Sequence, residues 1–519
     1  MTFLSKLSSI TKYLLPKRRT KLEISINEAL KNNWHVKSGK SVILIEGLLE
    51  TPVSIIEKSR IAKAIEEKIG GVSYAILRGF YSSSNRTSFL FHAMGVCRFI
   101  NWWTIFARPS IIRRALVRTL SIYRTSLTGA ELLDMRHGDI LIGDLIYDSI
   151  IRHNPGLYTI NKIQGLNSFR IILRAFAILY ANEEIIERYK PTHLVTSHMV
   201  YAEFGLLARQ ASYVGCEVHL KDMSVYYKYK DYSTIHEHYL SVNQSDFELA
   251  LKDEEVLKQS QMYFERRLAG NVNELDVKNA FQGKRSYTKD ELFLRCTGSE
   301  NNRKLSIVVF AHAFSDAPHV GKGMIFKDYF EWLHVTLSQL SKVDKYNVFV
   351  KEHPGSYLYG ESGVVEQLIE RIGSSSIFLL PSDLNTSSIR ELSDVVITAQ
   401  GTAGLEFSAL GKPVLTAGET YYLKGGISKF ATSKTSYIEC LHNLENLSHP
   451  SEQEKKRSLL HLYLTFSRLS RSEILPTTEI LPGDDHLALY DKSLHEFLEN
   501  IERNVPIKDQ FYESIMKAA

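Results

Sequence analysis

Two α/β domains in one chain, each a doubly wound Rossmann-like sheet and the pair facing across a cleft, are what this sequence predicts. Three observations predict it. The chain has 519 residues, more than one ordinary core supports. A strand, helix, strand pattern runs through its first half, and a second series of the same order starts near residue 304. Between them the texture changes: residues 242–303 are highly charged and hold no strong strand signal.

In the first half, "SVILIEGLL" (41–49) is apolar and β-branched before a polar break, as a buried strand should be. "TPVSIIEKSRIAKAIEEKIGG" (51–71) has helical periodicity, opens on Thr-Pro and stops at Gly-Gly. "VSYAILRGF" (72–80) is the next strand, which completes a βαβ unit and implies a parallel sheet. The pattern resumes with "DILIGDLIYDSIIR" (139–152), "THLVTSHMVYAEFGLLARQASYVG" (192–215) and "EVHLKD" (217–222). The second series runs from the strand "LSIVVFAH" through the helix "MIFKDYFEWLHVTLSQLSK" to the strand "YNVFVKEHP". It continues with "GVVEQLIERIG", "IFLLP", "DVVITAQG", "TAGLEFSALG" and "KPVLTAG". The predicted division is a basic N-terminal segment (1–39), a first Rossmann-like domain (40–240), a helical connection (241–303), a second Rossmann-like domain (304–480) and C-terminal helices (481–519).

Bulk properties narrow the function classes. A hydrophobic content of 44% and a charged content of 23% belong to a folded globular protein. The net charge of +5 is modest, and no nucleic acid is expected as a partner. Cys97, Cys216, Cys296 and Cys440 are scattered with no CxxC pair, which argues against a disulfide scaffold or zinc site and fits a reducing compartment. No secretory signal and no bilayer-length apolar run is visible, so a cytoplasmic location is expected. Residues 1–21, "MTFLSKLSSITKYLLPKRRTK", set apolar residues at helical spacing before a basic cluster. Such a segment lies in an anionic membrane surface, peripheral on the inner face of the inner membrane, or packs as a frayed helix on its own domain. Residues 88–118, with Trp102, Trp103 and several arginines, form either a second interfacial surface or a buried helix pair.

Ligands of doubly wound sheets bind beyond the carboxyl ends of the strands. Four strand exits of the second series carry polar or glycine-rich residues: Asp316, His353, Gly401-Thr402 and Gly418-Glu419. "FAHAFSDAPHV" (310–320) crowds His312, Asp316 and His319 after an apolar run, either for chemistry or as a polar turn capping the next helix. In "KEHPG" (351–355), Pro354 biases His353 toward an extended backbone and fixes where its imidazole projects. There His353 can donate to a phosphate or move a proton. "TAQGTAGLEFSALGKPV" (398–414) places Gly401, Thr402, Ala403 and Gly404 at a strand-to-helix turn, where unpaired N–H groups suit an anion. Glu406, one turn on, either reaches a sugar hydroxyl or packs the helix.

In the first half, Asp144 and Asp148 share a helix face. One carboxylate caps the helix and the other pairs with Arg152, or the pair binds an acceptor. His198, Tyr201 and Glu203 follow another strand. No HExxH, DxD or paired Cys/His spacing is present, so neither a metal nor a cofactor is expected.

The stretches "HAFSDAPH", "FKDYFEWL", "VKEHPGSYLYGE" and "GTAGLEFSALGKPVLTAGETYY" resemble bacterial surface-polysaccharide glycosyltransferases of the GT-B fold, especially the retaining β-Kdo transferases that use CMP-ulosonic acids. "IGDLIYD" and "HMVYAEFGLLAR" resemble segments of the same group. The resemblance implies a GT-B-like fold, a nucleotide-sugar donor and a saccharide acceptor that is lipid-linked in many such pathways. It implies Asp316 as nucleophile, with His353 in the same centre. His312, His319 and Lys351 are then the cations that offset the donor's carboxylate. Pro354, Gly401, Thr402, Ala403, Gly404 and Glu406 complete the donor site.

The His-Pro motif is shared with CMP-sialic acid transferases, so an inverting enzyme with a first-half carboxylate (Asp144 or Glu203) as base stands beside the retaining one. A UDP-sugar or CDP-polyol transferase or epimerase of this architecture, and a non-catalytic polysaccharide export protein, are the other readings.

Overall fold

A computed structural model describes residues 20–34, 38–79, 86–222, 225–272, 277, 280–300, 304–321, 323–427, 429–466, 472–478, 480 and 485–518. The expectation of a membrane-binding segment at 1–21 therefore lies almost wholly outside the described residues.

The first sheet follows the sequence reading in its centre and departs from it at its edges. β1 (Val42–Gly47) leads into α1 (Pro52–Ile69), whose N-cap Thr51 accepts from the Ser54 N–H and whose end is turned by Gly70 at φ 75°. β2 (Val72–Leu77) pairs parallel with β1. The 88–118 stretch holds a strand that the sequence reading missed, β3 (Arg98–Asn101), followed by α2 (Trp102–Phe106) and α3 (Pro109–Thr125). Four half-exposed edge residues give too short a run for an alternation signal.

The 139–152 stretch does not add a strand to the main sheet. β4 (Arg136–His137) and β5 (Ile140–Leu141) form a small antiparallel hairpin of their own, and α4 (Gly143–Arg152) follows. α5 (Leu166–Tyr189) returns to β6 (His193–Thr196), and α6 (Leu206–Tyr213) to β7 (Glu217–Asp222). β8 (Val225–Tyr229), also missed, closes the edge antiparallel to β7. The strand order is β3-β2-β1-β6-β7-β8.

The second sheet comprises β9 (Leu305–Phe310), β10 (Tyr346–Lys351), β11 (Ile377–Leu379), β12 (Val395–Thr398), β13 (Val414–Thr416) and β14 (Lys429–Phe430). It is parallel throughout, in the order β11-β10-β9-β12-β13-β14. Counted along its own strands alone, each six-stranded sheet places its first strand beside its fourth. The order reverses there, and that is the switch point where doubly wound sheets open a crevice. In the second domain that point lies between the exits of β9 and β12.

The described parts of the 241–303 segment, read from the sequence as a helical connection, pack on the second domain's body. Tyr287, Leu292 and Phe293 pack with Val308, Phe349 and Val396 of the sheet. α7 (Glu254–Leu268) packs on α8 (Glu452–Phe466). The C-terminal helices α9 (His486–Glu502) and α10 (Gln510–Ala518) cross back to the first domain. There Leu494, Phe497, Tyr512 and Ile515 share one core with Ile43, Ile55 and Ile65.

Candidate functional site

The loop after β9 is held from below by a carboxylate. Glu361, fully buried, accepts the N–H groups of Phe314 (2.7 Å) and Ser315 (2.8 Å) and the Ser315 hydroxyl (2.5 Å). Burial raises the Glu361 carboxyl above its ordinary range, and these hydrogen bonds oppose that rise without cancelling it. The next residue, Asp316, is exposed. Ala317 then turns the chain at φ 42°, a left-handed conformation costly for a residue with a Cβ. The next helix begins only at Tyr329 and is capped by Asp328, so Asp316 is not its cap. Asp316 accepts a hydrogen bond from the Tyr359 hydroxyl. The Tyr201 hydroxyl of the first domain donates to the Ser315 carbonyl (3.2 Å), and burial and the Asp316 charge together raise the Tyr201 phenol. Arg152 lies over the Tyr359 ring at 4.3 Å, bringing a cation beside the same hydroxyl.

His312 sits at the switch point. Its Nε2 accepts from the Thr398 hydroxyl (3.1 Å) and the Gln400 N–H (3.4 Å), while Thr398 Oγ1 accepts from the Gly401 N–H (3.2 Å). The ring stacks on Tyr329 at 4.2 Å. Burial, and then the neighbouring His353, push the His312 imidazole down to about 3, so it is neutral at physiological pH. The charge expected of it from the sequence is not there, because a buried imidazole without a carboxylate partner sheds its proton. His353 is half-buried, and its Nδ1 accepts the Gly355 N–H (3.1 Å), which leaves Nε2 as the protonated nitrogen. Pro354 follows it at the β10 exit, as the sequence order requires.

The turn after β12 is built for close approach. α11 (Thr402–Ala409) starts at Gly401 with no side-chain cap. Its first-turn N–H groups, those of Thr402 and Ala403, therefore receive no side-chain cap, and such groups can meet an anion. The Thr402 hydroxyl bonds the Tyr421 hydroxyl (3.0 Å), and the Tyr422 hydroxyl donates to the Gly401 carbonyl (3.2 Å). A Cβ at Gly404 would lie 2.3 Å from the Tyr422 oxygen, which explains the glycine.

Several anticipated residues are committed elsewhere. Glu406 pairs with buried Arg267 at 2.6 Å, binding α11 to α7 and not to a sugar hydroxyl. Lys351 shares its strand face with Phe349 and donates to the Pro381 carbonyl (3.4 Å), away from the His312 side. Burial and Lys284 push its ammonium down to about 8. Asp144 caps no helix; it is gripped through both oxygens by Arg209 (2.5 and 2.6 Å). Burial would raise its carboxyl, but Arg209 outweighs that and holds it below the ordinary range. Asp148 does not pair with Arg152. Its Oδ1 lies 2.6 Å from His319 Nδ1, and His319 Nε2 donates to the Lys327 carbonyl (2.9 Å). His319 is therefore a clamp between the domains, beside a cavity lined by Arg209, Tyr229 and His236. Glu203, in a π-helical turn (Tyr201–Gly205), pairs with Arg78 and with Arg174 (3.1 Å).

The structure thus brings together Asp316, His312, His353 and the 401–404 turn, with Tyr201 and Arg152 from the first domain. Sequence reasoning missed Glu361 and Tyr359. Their signal was proximity: both fall within eight residues of His353, in "HPGSYLYGE". Among the described residues one group could hold a metal, His193, Glu217 and His219. It lies at the amino ends of β6 and β7, the far side of the sheet from the cleft, and Glu217 already pairs with Lys228 (3.1 Å).

Fold and site together define a two-domain, GT-B-like α/β protein with polar and glycine-rich residues gathered at the carboxyl ends of its second sheet. Residues 236–448 match a family model described as "Capsule polysaccharide biosynthesis protein". No curated protein matches the sequence. Among solved structures, the β-Kdo 2,7-transferase KpsC of Thermosulfurimonas dismutans is similar at 15% identity over 62% of this chain and 89% of its own, with a TM-score of 0.34. A glycosyltransferase from Rickettsia africae covers 93% of this chain and 100% of its own at 12% identity and a TM-score of 0.28. The UDP-GlcNAc 2-epimerase of Neisseria meningitidis covers 82% and 99% at 10% identity and a TM-score of 0.24.

Proposed function

We propose that this chain is a glycosyltransferase of capsule, O-antigen or lipopolysaccharide synthesis that moves a Kdo-like 3-deoxy-ulosonic acid from a CMP donor to a saccharide acceptor. The reading is retaining, with Asp316 as nucleophile. The observation that carries it is the placement of Asp316: exposed at the exit of the first strand of the second sheet, on a loop fixed by buried Glu361. A carboxylate held this way stands in solvent beside the Tyr359 hydroxyl and has no capping duty.

In the first step an Asp316 oxygen attacks the anomeric carbon as the bond to the CMP phosphate breaks, and the N–H groups at the start of α11 receive the phosphate. His353 Nε2–H donates to the departing oxygen. In the second step the acceptor hydroxyl attacks the anomeric carbon, its proton passes to the released CMP phosphate, and the ester bond to Asp316 breaks to return the carboxylate, so two inversions restore the configuration. Tyr359 and Tyr201 hold the aspartate loop, and Arg152 offsets the donor's carboxylate. No step calls for a metal.

A calorimetric panel of CMP, UMP, UDP and CDP tests the donor class. Preference for CMP, weakened by His353→Ala, supports the proposal; tighter binding of UDP moves the chain to UDP-sugar chemistry.

A further inference from the structure

We infer that α2 and α3 form a docking face for an anionic lipid surface, independent of residues 1–21 and of the sugar chemistry. α3 buries one narrow stripe, Ile111, Ala115, Thr119 and Ile122, most of it packed in the first domain's core. Its solvent side leaves Ile112 (37% exposed), Leu116 (38%), Val117 (64%) and Leu120 (41%) uncovered, and Trp103 of α2 is 42% exposed. At 100° per residue, Ile112, Leu116 and Leu120 fall in one row, with Arg113, Val117 and Arg124 along its flank. Apolar residues with cations at their edge, and a tryptophan at one end, are the composition of a helix lying in a headgroup layer.

Charge selects the occupant. No Asp or Glu occurs anywhere in the chain between Glu67 and Glu131, while Arg108, Arg113, Arg114, Arg118 and Arg124 all do. Arg108 and Arg114 are paired with Glu184 and Glu183 of α5, and Arg118 lies over the Phe176 ring, which leaves Arg113 and Arg124 on the apolar face. A two-fold contact between copies on this face would set these cations against their own counterparts, whereas anionic headgroups complement them.

The face also points the right way. Tyr123 at the end of α3 donates to the Gly165 carbonyl (2.8 Å), beside Leu166, which is 64% exposed. That end of α5 also carries Arg174, whose partner Glu203 stands at the exit of β6. Docking would therefore seat the first domain's side of the cleft near the lipid.

The test is flotation of the full-length chain with vesicles of phosphatidylcholine alone or with one quarter phosphatidylglycerol. Wild type should float with the anionic vesicles and not with the neutral ones. Leu116→Asp/Leu120→Asp should lower the bound fraction about tenfold, and Arg113→Gln/Arg124→Gln by a similar factor that high salt reproduces. Both should keep the wild-type melting temperature. Trp103→Phe should remove part of the vesicle-induced blue shift in tryptophan emission. Undiminished flotation of both double variants overturns the inference. So does equal binding to neutral vesicles, or a wild type that stays unbound and forms dimers which Leu116→Asp/Leu120→Asp dissolves.

Discussion

Asp148 on α4 and His319 after β9 join the two domains through a 2.6 Å contact between Oδ1 and Nδ1. Since His319 Nε2 also donates to a carbonyl, both ring nitrogens act as donors and the imidazolium is the bound form. Burial would depress it, but the Asp148 carboxylate outweighs burial and raises the His319 pKa above its ordinary 6.5. A raised histidine contributes stability that is fully present below the unfolded pKa and is lost as pH rises through the folded one. The melting temperature of wild type should therefore fall as pH rises above about 6.5. His319→Gln should cost about 3 kcal/mol at pH 6 and flatten that slope. An unchanged slope in the variant would remove His319 as its source.

Glu361 should matter to rate more than to binding. Glu361→Gln keeps the volume and one acceptor but cannot accept the Phe314 N–H and both Ser315 groups together. The loop bearing Asp316 should loosen, lowering kcat about a hundredfold while CMP affinity changes little. Loss of CMP affinity in proportion to kcat would mean the whole domain had shifted.

Gly404→Ala probes the turn from its packing side. The added Cβ must displace the Tyr422 hydroxyl, which holds the Gly401 carbonyl. A loss of about 1–3 kcal/mol and weaker CMP binding are expected. Tyr422→Phe in the same background should recover part of the stability by relieving the clash. No recovery would point to helix propensity or backbone strain instead.

The second sheet was legible because its strands are continuous apolar runs ending in polar exits, as buried parallel strands must be. β3 and β8 were not, since four- and five-residue edge strands with half-exposed side chains lack the pattern. Asp316, His353 and Gly401 could be placed because strand exits converge in this topology. What one sequence could not show was which ionisable groups were already taken. Asp144 with Arg209, Glu406 with Arg267 and Asp148 with His319 are pairings across 65, 139 and 171 residues of chain. No local spacing encodes them. Glu361 offered only its nearness to His353 as a signal, because two of its three partners are backbone N–H groups, which nearly every residue offers.

The central claim rests on Asp316, and the most direct measurement is intact-protein mass after incubating the wild type with CMP-ulosonate and a slow acceptor. A retaining Asp316 mechanism predicts a mass increase of one sugar, mapping to the peptide that spans Asp316 and absent from Asp316→Asn. That variant should keep its fold and its CMP affinity while transfer falls about a thousandfold or more. A folded Asp316→Asn enzyme that transfers sugar at the wild-type rate would contradict the account.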